Sequence, residues 1–140
     1  MDEIVYGDRL SSGEYRALRE AVGWKALSER QIDGTLYKGL FLITARYGGR
    51  CAGMTRLVGD GAYFFLLADV IVHPDYQGRG IGKRMVTSAL EFVRACLRDG
   101  ESASVNMMAA KSKEPFYEKL GFTKRPDDTF GAGMSMLLKK

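Results

Sequence analysis

The segment DVIVHPDYQGRGIGKRM, Asp69 to Met85, constrains this chain more than any other. An apolar run ends at Pro74, glycines follow at Gly78, Gly80 and Gly82, and a helical pattern begins at once. Proline has no N–H to give a sheet ladder, so it closes the strand. Ile81, Met85, Val86, Ala89, Phe92, Val93, Cys96 and Leu97 recur at three-to-four spacing, one apolar stripe of a helix that Asp99-Gly100 stops. SASVNMMAA then reads as a buried strand. Strand, loop, helix and strand in that order predict a β-α-β unit, whose strands lie parallel with a right-handed crossover.

Around this unit the pattern is antiparallel. EIVYGDRL reads as a first strand, SSGEYRALREAVGW as a serine-capped helix, and SERQIDGTL as a second helix capped by Ser28. GLFLITARYGGR, CAGMTRLVGDG and AYFFLLADVIVHP read as meander strands joined at Gly48-Gly49 and Asp60-Gly61, both hairpin signals. Pro115 opens a last helix, PFYEKLGF, with Gly121 as its stop. GAGMSMLLKK reads as a final strand. The expectation is one mixed α+β domain over residues 1–140, since the length suits one domain. Its two cysteines, Cys51 and Cys96, form no disulfide framework and read as reduced thiols. With no basic, apolar leader at the start, they predict a cytoplasmic protein. The longest apolar stretch, Ala62 to Val72, is too short to span a bilayer.

The glycine loop is where chemistry is expected. The first N–H groups of a helix lack internal partners and carry partial positive charge. Gln77, Gly78, Arg79, Gly80, Ile81, Gly82 and Lys83 therefore form a candidate site for a phosphate or pyrophosphate, with Arg79, Lys83 and Arg84 adding charge. The net charge of +4 suits an anionic small ligand. It gives no polybasic run and no interleaved aromatics of the kind that bind nucleic acid. The nucleotide P-loop fails because Arg84, not Ser or Thr, follows Lys83, and the dinucleotide fingerprint fails because the glycines read G-x-G-x-G. The pattern Q/R-x-x-G-x-G/A, however, is matched at every fixed position by Gln77 to Gly82.

That pattern, with the late FYEKLGF, resembles the coenzyme signature of the GCN5-related N-acetyltransferases (GNAT), and the resemblance covers most of the chain. DVIVHPDYQGRGIG is similar to the form in arylalkylamine-type members. The resemblance implies a GNAT-like fold: a mostly antiparallel sheet of about six to seven strands, one parallel pair at the central β-α-β unit, and helices on both faces. It implies acetyl-CoA as co-substrate, with no metal. Its pantetheine arm would run along Val70, Ile71 and Val72, and its pyrophosphate would lie on the loop. The strand would be splayed from its neighbour by a bulge, freeing the N–H of Val70 or Ile71 for the oxyanion. Phe116 and Tyr117 would touch the coenzyme, and the Tyr117 phenol would protonate the departing thiolate. Where many relatives have Asn seven residues before that tyrosine, this chain has Ala110.

Asp69, a carboxylate in an apolar strand beside the expected reaction point, is the candidate base, and the alternative is an acid paired with an arginine. His73 is the one histidine, and its place at the strand end predicts exposure. The expected activity is N-acetylation of a small primary amine by direct attack in a ternary complex. The alternatives are a protein N-terminus or lysine as acceptor, or a non-catalytic acyl-CoA sensor. Trp24, Tyr37, Phe130 and Met134 are candidates to line the acceptor pocket, and Glu29, Asp33, Asp127 and Asp128 to receive a cationic amine. Neither nucleic acid nor membrane is expected as a partner. A final strand pairing across subunits would give a homodimer.

Overall fold

The strands form in apolar stretches of the sequence, and the two hairpin turns carry glycine or aspartate. The computed structural model describes residues 3–140, which divide into a first unit ending at Met107 and a second from Met108 to Lys140. The first unit holds β1 (Ile4–Gly7), α1 (Ser12–Ala21), α2 (Glu29–Tyr37), β2 (Phe41–Tyr47), β3 (Arg50–Gly59), β4 (Phe64–Val72), a 3-10 turn (Pro74–Tyr76), α3 (Ile81–Cys96) and β5 (Ser104–Met107). Among the described residues these strands make one five-stranded sheet in sequence order, antiparallel except for the parallel β4–β5 pair. Ser11 and Ser28 cap α1 and α2 with reciprocal side-chain bonds to Glu14 and Gln31. At the β2–β3 turn Gly48 and Gly49 both have positive φ, 55° and 81°, as a type I′ hairpin requires. The β3–β4 connection is longer, and Asp60 organises it by accepting from the N–H groups of Ala62, Tyr63 and Phe64.

Helices cover both faces of this sheet. Ile43, Ala45 and Ala52 pack with Ile81 and Met85 of α3, while Met54 and Ile71 pack with Tyr15, Leu18 and Ile32 of α1 and α2. Gly53 lets α3 sit close, because a Cβ there would stand 2.7 Å from the Ile71 carbonyl and 3.1 Å from Met85 Cε. Two register shifts interrupt the antiparallel ladders. One lies between Ala45 and Arg46, and the other lets Arg56 pair with Asp69 but Leu57 with Leu67, leaving Ala68 as the extra residue of a bulge. Because side chains alternate, the second shift turns Asp69 toward the α1 face.

The second unit contains α4 (Glu114–Glu118), shorter than the expected helix, followed by a turn that ends at Gly121 with φ of 103°. The sequence-based count of six to seven strands is corrected to five. GAGMSMLLKK is not a strand: Met134, Met136 and Leu138 alternate as a strand should, but they are 93%, 80% and 83% exposed. Apolar alternation makes a strand only where an edge pairs with it, and none does among the described residues.

Candidate active site

The site is built from the two things that happen to β4 after Leu67. The first is the end of its pairing with β5: Phe64 to Leu67 are matched to Ser104 to Met107, and no strand among the described residues pairs with β4 on that side beyond Leu67. The second is the bulge at Ala68, which pins the remaining residues to β3 in a new phase. The N–H of His73 bonds the carbonyl of Ala52 at 2.8 Å. Counting back by twos, Ile71 and Asp69 direct their backbone groups to β3, and Val70 and Val72 direct theirs to the open edge. Val70 is thus the candidate oxyanion donor, and Ile71 is corrected: its N–H faces the β3 ladder. The carbonyl of Val72 already accepts from Gln77 Nε2 at 3.0 Å, so the Gln77 side chain ties the loop to the strand end.

The loop itself is shaped by backbone conformation. Gly78 and Gly80 have φ of 80° and 78°, the left-handed region, and a Cβ on either would meet nothing within 4 Å. Glycine is required there for φ and not for room. Gly80 is the N-cap of α3 and supplies no side-chain cap. The first helical bond is made by Arg84, which donates to the Gly80 carbonyl. Among the described residues no hydrogen bond uses the N–H of Gly78, Arg79, Gly80, Ile81, Gly82 or Lys83. These amides form a free donor set at the positive end of a 16-residue helix, which suits a diphosphate. Arg79 packs on aromatic rings. Its guanidinium stacks 5.2 Å from the Tyr47 ring and 5.5 Å from Tyr76, while Arg84 stacks 5.1 Å from Tyr6. Lys83 is exposed.

Asp69 does not sit alone in an apolar strand. It is 6% exposed, accepts from Tyr15 Oη and from Arg56 Nε, each at 2.6 Å, and has Arg19 Nη1 at 4.0 Å. The apolar environment expected for a base is therefore corrected to a paired one. Tyr15 is fully buried, and its phenol is pushed up chiefly by burial and then by the Asp69 hydrogen bond. His73 is half-buried, not exposed, and its Nδ1 accepts from the Asp75 N–H at 3.1 Å. Cys51 is a free thiol that burial pushes up, which weakens it as a nucleophile.

Tyr117 lies on α4 in the second unit and is buried, with Phe116 and Phe122 edge-on to its ring at 4.9 and 6.0 Å. Burial pushes its phenol up to about 12, so it is protonated throughout the neutral range. A phenol must be protonated to act as an acid.

Two adjoining cavities open on the first unit, and sequence reasoning found neither. One, of about 340 Å³, is lined by Asp8, Thr35, Leu36, Leu40, Leu42 and Arg56, among others. The other, of about 380 Å³, is lined by Leu27, Arg30, Thr35, Lys38 and Arg56, among others. Both volumes suit small molecules. The residues expected to line such a pocket are placed elsewhere. Tyr37, Phe130 and Met134 are 84%, 56% and 93% exposed, and Trp24 packs under Arg19. Asp33 accepts from Ser12 Oγ, and Asp127 accepts from the N–H groups of Thr129 and Phe130. The signal for Arg56 was its position opposite Asp69, which shows only when the bulge is known.

Comparison with known proteins decides the family. The family model for the acetyltransferase (GNAT) domain matches residues 38–124, which is more than half of the chain. This chain belongs to the GNAT acetyltransferases. It is similar to an uncharacterized N-acetyltransferase, ycf52, of Pyropia yezoensis, with 28% identity over 84% of this chain and 68% of that protein. It is 35% identical to the chloroplastic GCN5-related N-acetyltransferase 2 of Arabidopsis thaliana, over 94% of this chain and 58% of that longer protein. A probable acetyltransferase from Staphylococcus aureus shares the fold over 100% of both chains, with a TM-score of 0.83 and 25% identity. As a GNAT member the chain is an acyltransferase. No helix among the described residues is long and apolar enough to cross a membrane.

Proposed function

We propose that this GNAT chain transfers the acetyl group of acetyl-CoA to a small primary amine by direct attack in a ternary complex. The observation that carries the reading is the unbonded set of amides from Gly78 to Lys83, set beside the open edge of β4. The diphosphate lies on those amides, and the pantetheine arm pairs with the edge at Val70 and Val72. The thioester carbonyl accepts from the Val70 N–H as the amine nitrogen attacks its carbon. The C–S bond then breaks, the nitrogen gives its proton to solvent water, and the thiolate takes one from a protein acid. Tyr117 is the proton donor, supported by the FYEKLGF motif and by burial that keeps its phenol protonated at neutral pH. Asp69 is assigned to hold Arg56 and Tyr15 in place, supported by its bonds to both. Direct attack is supported by Cys51, whose thiol is pushed up and bonded to the Gly53 carbonyl. Cytoplasmic placement and one catalytic domain over residues 1–140 belong to the same reading.

The test is incubation with acetyl-CoA and a panel of amines, with free thiol as readout. Thiol release that depends on an amine supports the proposal. Acetyl-CoA binding without turnover on any amine would contradict it and favour a sensor.

A further inference from the structure

Arg56 divides its guanidinium between two tasks. Its Nε donates to Asp69, and the side chain is 17% exposed. Among the described residues no hydrogen bond uses Nη1 or Nη2, which leaves four N–H donors. Arg56 also lines both cavities. A guanidinium tethered at Nε presents its remaining fork in a fixed direction, the geometry that recognises a carboxylate or phosphate. The rest of the lining agrees. The larger cavity adds Arg30 and Lys38 and no acid, and neither cation has an ion pair among the described residues. The smaller cavity adds one carboxylate, Asp8. Three cations converge on one cavity, with a single acid in the cavity beside it.

We propose that the acceptor carries an anionic group, a carboxylate or phosphate, as well as its amine, and that Arg56 with Arg30 and Lys38 binds that group. Asp8, which lines the adjoining cavity with Arg56, is the acid left to meet the cationic amine. The inference rests on the acetyltransferase reading, but binding tests it apart from turnover. It replaces the expectation that Glu29, Asp33, Asp127 and Asp128 receive the acceptor. An amine with no anion would bring a positive charge to a cationic wall, and like charges repel there.

The experiment compares matched amines on the full chain loaded with acetyl-CoA: ethanolamine with O-phosphoethanolamine, and phenethylamine with phenylalanine. Thiol release gives kcat/KM, and calorimetric titration into the CoA-loaded protein gives binding. The acidic member of at least one pair is expected to bind and react at least about tenfold better. The double substitution Arg30→Gln with Lys38→Gln, at exposed positions, should remove most of that preference. Arg56→Lys, which keeps a charge opposite Asp69 but loses the fork, should weaken binding of the acidic member further. Equal or better turnover of both neutral members would overturn the inference and leave the acetyltransferase reading intact. If no amine turns over, calorimetry still decides: binding of neither acidic amine overturns the inference, and binding that the double substitution abolishes supports it.

Discussion

The glycine loop and the Asp69 cluster lie at opposite ends of the same short stretch of β4, and they treat polar groups in opposite ways. At the loop, the amides from Gly78 to Lys83 have no partner among the described residues. At Asp69, a carboxylate only 6% exposed is bound by Tyr15 and Arg56. Unpaired donors at an exposed helix end cost little while water solvates them, and they are free for a ligand. A buried carboxylate left without partners would be severely destabilising, so its partners come from the protein itself. The difference teaches where to look for binding: in groups the fold leaves over. Arg56 belongs to both classes, with its Nε used by the fold and its Nη atoms left over.

The largest effect that would break this contrast is at Asp69. Asp69→Asn leaves the Arg56 charge without its buried partner and should cost about 3 kcal/mol, read by urea unfolding. Turnover per folded molecule should fall less than about tenfold. A fall of more than about a hundredfold at unchanged stability would make Asp69 the base after all. Next is Tyr117→Phe, which should lower kcat about a hundredfold and leave acetyl-CoA affinity within about twofold. Unchanged kcat would remove the tyrosine from the chemistry.

Gly80→Val forces a β-branched residue to φ of 78°. It should weaken acetyl-CoA binding about thirtyfold, about 2 kcal/mol. Since a Cβ meets nothing within 4 Å there, any loss reports backbone geometry and not crowding.

The smallest effect concerns pH and lies away from both regions. Arg46 donates a hydrogen bond to Glu14, and this is the main reason its carboxyl is held at about 2 against the ordinary 4.5. A lowered carboxyl gives stability that is fully present above about 4.5 and is lost as pH falls toward about 2. The pair is part-exposed, so solvent screening limits it to about 1 kcal/mol. Glu14→Gln should flatten the acid limb of a stability-against-pH curve, and an unchanged limb would contradict the assignment.

The β-α-β unit was legible because proline, glycine and a long apolar helix stripe are local signals. Ser11, Ser28, Gly48 and Gly49 were legible for the same reason, since caps and tight turns depend on residues within reach of one another. Three features were not. Alternation in GAGMSMLLKK could not reveal the lack of a pairing edge. The role of Asp69 could not be read because Tyr15 and Arg56 are distant in sequence, and the bulge at Ala68 sets which face it takes. The cavities were hidden for a related reason, because α2, β2 and β3 form them together. Local chemistry wrote the proposed coenzyme side of the site into one segment, while the proposed acceptor side depends on how separate elements meet.

The most direct test of the central claim is backbone amide NMR on the labelled full chain during titration with CoA. The N–H resonances of Gly78 to Lys83 should move together and saturably, with Val70 moving as well and Ile71 much less. Saturable CoA binding that leaves those loop amides unmoved, or no binding at all, would contradict the claim.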